Sequence, residues 1–93
     1  MDNDVKDEIA KIDSLIEKYY MVMEKLQEQI DAYKKMEDTI TNSYIIQNDE
    51  SYQRALNIIG AGYFNALSIL ENCHNNVNKL QDKKDSLLDS LEK

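Results

Sequence analysis

The chain has 93 residues, a formal charge of −7, two glycines, one cysteine and no proline, which limits it to one domain with a modest core and favours helix over a turn-rich β fold. The negative balance argues against nucleic acid and disfavours anionic membrane surfaces as partners, because phosphates are repelled by this chain instead of paired. With Cys73 alone, neither an intramolecular disulfide nor a cysteine-based zinc site can form, so packing has to hold the fold.

The start MDNDVKDEIAK is acidic where a secretory leader needs a basic and then an apolar stretch. The expectation is a cytoplasmic protein, exported, if at all, by a route that needs no cleavable signal peptide. From Val5 the apolar residues recur in steps of four and three: Val5, Ile9, Ile12, Ile16, Tyr19, Met23, Leu26, Ile30 and Tyr33, then Ile40 and Tyr44. This is a heptad seam with Ile9 at a and Ile12 at d, and it predicts a helix over about residues 3 to 45. Glu37, at an a position, is the one charged occupant of that seam.

Thr41, Asn42 and Ser43 are poor helix-interior residues, and Asn48, Asp49 and Ser51 suit a turn or a helix cap, so a turn is predicted over about residues 46 to 50. A second seam then runs through Tyr52, Leu56, Ile59, Tyr63, Ala66, Leu70, Cys73, Val77, Leu80, Lys84, Leu87 and Leu91, predicting a helix over about residues 51 to 92. The seam register is lost across the break, which disfavours one continuous rod.

The predicted fold is therefore all-α, a single two-helix antiparallel hairpin of coiled-coil character, residues 1–93. Residues paired across its seam should have numbers adding to about 96, which sets Tyr33 opposite Tyr63, Tyr44 opposite Tyr52, and Glu37 opposite Ile59 and Gly60. Each helix also carries apolar residues beside its seam: Leu15, Val22 and Met36 at g in the first, and Ile58, Leu67, Ile69 and Leu88 in the second. Stripes this wide predict a bundle of more than two helices, formed by pairing with another hairpin as a homo- or hetero-oligomer.

Between Ala55 and Asn78 the only formally charged residue is Glu71, although charges are frequent elsewhere. The apolar part of this window, Ala55 to Leu70, contains Asn57 and Asn65 and is shorter than the roughly 20 residues a bilayer requires, so a membrane span is disfavoured. A helix face covered by another protein is the preferred reading, since apolar and amide groups tolerate such covering. Gly60 and Gly62 strengthen it. A helix-interior glycine costs about 1 kcal/mol relative to alanine, so two of them point to close approach of a neighbour or a bend; alternatively the helix begins after Gly62. The candidate partner-binding residues are Ile58, Gly60, Gly62 and Phe64 in the window, Glu37 across from it, and Tyr20 at an e position of the first helix.

No catalytic, cofactor or metal site is predicted. His74 has no further ligands at metal-binding spacing, Cys73 at d reads as a small buried hydrophobe, and carboxylate pairs such as Asp7 with Glu8 fall on solvated faces. Phosphate-binding glycine loops and nucleophile elbows are absent, so the expected function is non-enzymatic.

A short acidic hairpin with an uncharged, glycine-containing patch near its turn resembles the WXG-type small hairpins of Gram-positive type VII secretion, including those that pair with LXG-domain toxins. The counterpart of that family's Trp-x-Gly motif is Ile58, Ile59, Gly60, with isoleucine in place of tryptophan. Its Tyr-x-x-x-Asp/Glu export signature has matches at Tyr20 with Glu24 and Tyr33 with Glu37, but inside the first helix instead of a tail after the second, so they are not assigned as export signals. The resemblance implies a partner for the helical N-terminal domain of a secreted toxin, acting as a targeting or chaperone subunit. A coiled-coil adaptor or scaffold with no secretion role, or a small membrane-active helical protein, stands as an alternative.

Overall fold

A computed structural model describes residues 2–42 and 50–92. They form two helices, α1 (Asp2–Thr41) and α2 (Glu50–Glu92), with no strand among the described residues, and the architecture is a two-helix hairpin. α1 ends earlier than the predicted residue 45. Glu37 and Asp38 put negative charge against the negative end of the helix dipole, no basic residue offsets it in the last turn, and the β-branched run Thr39, Ile40, Thr41 is a poor continuation. The last turn closes with the Asn42 amide donating to the Asp38 carbonyl at 3.0 Å, and the Thr39 hydroxyl donates to the Lys35 carbonyl at 2.9 Å. The predicted turn over 46 to 50 and the Tyr44–Tyr52 pairing fall largely on residues outside those described. α2 opens with Glu50, an acid favourably placed at the positive dipole end and joined to Arg54 at 3.2 Å.

The seam read from the heptads is the seam that packs. Every buried side chain among the described residues belongs to it: Ile12, Ile16, Met23, Leu26 and Ile30 on α1, and Tyr52, Ile59, Ala66, Cys73 and Val77 on α2. The chain divides into two packing units, one comprising Met1–Met23 with Glu71–Lys93, the other Glu24–Leu70. In the first, Ile12, Ile16, Met23, Cys73 and Val77 supply the buried surface, while the seam residues Ile9, Leu80 and Leu87 are only half-buried. Polar contacts supplement this packing. Lys83 meets Glu8 at 3.1 Å, Lys84 meets Asp13 at 2.6 Å, and the Asn76 Nδ2 donates to the Tyr19 hydroxyl at 3.4 Å. Lys84, the charged member of the second seam, is thus neutralised by an acid on the partner helix. These pairs are at least half exposed on one side, so each contributes at most about 1 kcal/mol.

In the second unit Leu26, Ile30, Tyr52, Ile59 and Ala66 form the core, with Ile30 the most deeply buried at 2% exposure. Tyr19 opposite Asn76 in one unit and Tyr33 opposite Gly62 in the other both add to 95, within one residue of the expected antiparallel register. No described residue other than glycine has positive φ, and neither do the glycines. α2 runs through Gly60 and Gly62 without interruption, so they are interior residues and not the start of the helix.

Candidate interaction surface

Five of the six candidate residues, Glu37, Ile58, Gly60, Gly62 and Phe64, fall in the Glu24–Leu70 unit, while Tyr20 belongs to the other unit. Tyr20 is half exposed, beside the buried positions of α1. Within the first group, helical geometry divides what the sequence reading had taken as one surface.

Gly60 and Gly62 lie two residues apart and so point about 160° apart around α2. Their surroundings differ accordingly. A Cβ built on Gly62 would lie 2.7 Å from the Tyr33 Cζ and 2.8 Å from its hydroxyl oxygen, whereas one on Gly60 would meet nothing within 4 Å. Gly62 therefore serves the hairpin itself, since the absence of a side chain lets the Tyr33 ring cross α2 closely. Tyr33 was expected to face Tyr63; it sits against the neighbouring glycine, and Tyr63 turns its ring edge-on to Phe64, centroids 5.7 Å apart at 77°. Of the two glycines, Gly60 alone leaves open space.

Ile58 and Phe64 are 66% and 70% exposed, and six residues apart they project about 120° from each other. Ile58 shares its side of α2 with Gly62, four residues on, and Phe64 shares its side with Gly60, four residues back. The unit thus presents two apolar edges. At g on α1, Met36 is exposed and joins Lys35, Thr39, Ile40 and Ile59 in lining an open groove of about 300 Å³. Beside it is Glu37, whose side chain is exposed, so the desolvation a buried seam acid would suffer is avoided. An apolar residue at this a position would extend the seam opposite Ile59. Glu37→Leu is expected to raise the melting temperature, by an amount corresponding to roughly 1 kcal/mol; a fall would show that the carboxylate holds a stabilising contact.

One exposed residue and one polar contact escaped the sequence reading. Met21, 63% exposed at an f position, had no pattern to mark it. The hydrogen bond between Asn76 and Tyr19 was readable in principle, since the register sets the two residues opposite each other. Among the described residues there is no cluster of three or more His, Cys, Asp or Glu side chains that could hold a metal ion, and no helix long and apolar enough to cross a membrane.

Fold and surface together define a helical hairpin with a narrow packed seam and uncovered apolar edges. No family model matches the chain, and no curated protein or solved structure matches it.

Proposed function

We propose that the chain is a non-enzymatic interaction module, a hairpin that completes its packing against another helical protein. The observation carrying this reading is the exposure of Leu15, Tyr20, Met21, Val22, Met36, Ile58, Phe64, Ile69 and Leu88, as many large apolar side chains among the described residues as the core buries, or more. Isolated exposed hydrophobics are ordinary, but here they accompany a chain that leaves 7215 Å² accessible, against roughly 5,500 Å² for an average folded chain of 10.8 kDa. The difference, about 1,700 Å², is about twice what one partner contributes to a standard protein interface.

The resemblance to type VII secretion hairpins, carried by the acidic hairpin and by Ile58, Ile59 and Gly60, supports a more specific form. The partner is then the helical N-terminal domain of an LXG-type toxin, and the chain acts in the cytoplasm as its targeting or chaperone subunit. Light scattering of the purified chain at tens of micromolar, alone and mixed with the helical N-terminal domain of an LXG-type toxin, tests both levels. The expected result is a mass above that of one chain, and a defined complex with the toxin domain that Ile58→Asp or Phe64→Asp disrupts. A monomer that also ignores the toxin domain overturns the reading, whereas self-association without toxin binding removes only the secretion role.

A further inference from the structure

On α1 of the Met1–Met23 and Glu71–Lys93 unit, Lys11, Leu15, Lys18 and Val22 follow one another in steps of four, three and four, the c and g positions of the heptad, and so share one edge. On α2 the same positions are held by Asn72, Asn76, Lys79 and Lys83. Two contacts bring these edges to the same side: Lys83 pairs with Glu8, both at g, and Asn76 reaches the Tyr19 hydroxyl. Tyr19, Leu15, Lys18 and Val22 line a surface depression of about 150 Å³ there, and Leu15 and Val22 are 45% and 47% exposed.

The charge on this edge runs against the chain as a whole. From Lys11 to Val22 and from Asn72 to Lys83 no carboxylate occupies a c or g position, while Asp13, Glu17, Glu71 and Asp85 take the e and b positions of the opposite edge. Lys83 is neutralised by Glu8, but Lys11, Lys18 and Lys79 are exposed and pair with no carboxylate among the described residues. A protein of charge −7 thus holds an apolar strip flanked by three uncompensated ammonium groups.

We propose that this edge docks an amphipathic helix of a different chain, one whose apolar stripe is flanked by Asp and Glu. Leu15 and Val22 take the stripe, Lys11, Lys18 and Lys79 pair with the acids, and Asn76 offers amide hydrogen bonds. A second copy meeting like edge to like edge would bring lysine to lysine, and one offering its acidic edge instead would make a heterologous contact that propagates into open chains, so the occupant is another protein. The distant acids oppose docking weakly, because their field is screened over about 8–10 Å at physiological salt. Three lysines beside an acidic opposite edge are a weak basis for an anionic bilayer, where roughly 1 kcal/mol per cation has to hold the whole chain. The inference rests on the reading of the chain as an interaction module and names the partner's chemistry.

The full-length, isotope-labelled chain can be titrated with two designed helical peptides sharing one leucine stripe, one flanked by glutamates and the other by lysines. Net charge alone favours the lysine peptide. The expected result is the reverse: the glutamate peptide shifts the amide resonances of Lys11, Leu15, Lys18, Val22, Asn76 and Lys79, and its affinity falls with added salt. Lys18→Gln combined with Lys79→Gln should lower that affinity about tenfold with a melting curve little changed, since neither lysine holds an ion pair or hydrogen bond among the described residues. Preference for the lysine peptide, shifts confined to other residues, or equal binding by the double variant overturns the proposal. So does capture of the same residues by phosphatidylglycerol vesicles but not by the glutamate peptide. If a toxin domain binds the wild-type chain and the double variant equally, this inference fails while the interaction module stands; if no helical protein binds at all, both fall.

Discussion

Ile30→Ala should lower the unfolding free energy by about 2 to 5 kcal/mol, the largest loss expected from a single core truncation in this chain. Ile30 is 2% exposed at an a position, in the same unit as the buried Leu26, Ile59 and Ala66, so deleting three carbons removes burial and leaves space that two rigid helices fill poorly. The same truncation at Ile58, which is 66% exposed, should change stability by less than about 0.5 kcal/mol while weakening association. Urea unfolding followed by circular dichroism at several protein concentrations separates the two effects, because association makes the midpoint concentration-dependent and a core defect does not require it to be. A loss below about 1 kcal/mol for Ile30→Ala would place the core elsewhere.

The two glycines should respond to substitution with opposite signs. At Gly60, where a Cβ meets open space, alanine should stabilise by about 1 kcal/mol through helix propensity alone, raising the melting temperature by about 4–8 °C for a domain of this size. At Gly62 a leucine gains the same propensity but drives into the Tyr33 ring, already within 3 Å of an added Cβ, and overpacking of this kind costs about 1–3 kcal/mol. The net expectation is a loss. Tyr33→Ala should relieve it, so the Gly62→Leu defect should shrink in the Tyr33→Ala background of a double-mutant cycle. Equal stabilisation at both positions would mean that the tyrosine swings aside freely and that neither glycine is needed for the packing of α1 on α2.

Much of the fold was legible because a heptad is a one-dimensional signal. Ile9 to Ile40 and Tyr52 to Leu91 repeat at helical spacing, and once two such seams are joined by a short break, an antiparallel pairing aligns one number with another by simple opposition. Every described seam residue except Glu37 is buried or half-buried, including the charged Lys84. The candidate surface was less legible. Gly60, Gly62, Ile58 and Phe64 form one cluster in sequence, yet 100° per residue turns them to different sides of α2. Lys84 offered a seam charge without a partner in its own layer, and its acid, Asp13, lies off the seam at e.

The sequence by itself determined the helices, the seam and the register, since these follow from the spacing of apolar side chains and the need to remove them from water. Which glycine the neighbouring helix uses, and which of Ile58, Phe64, Leu15 and Val22 stay exposed, was decided only by the tertiary structure. Those outcomes depend on the reach and rotamer of individual side chains from the facing helix. Tyr33 is long enough to cross to Gly62 and fill its space, while no described side chain comes within 4 Å of a Cβ built on Gly60. Apolar periodicity constrains position along and around a helix but leaves the last few ångströms to side-chain packing.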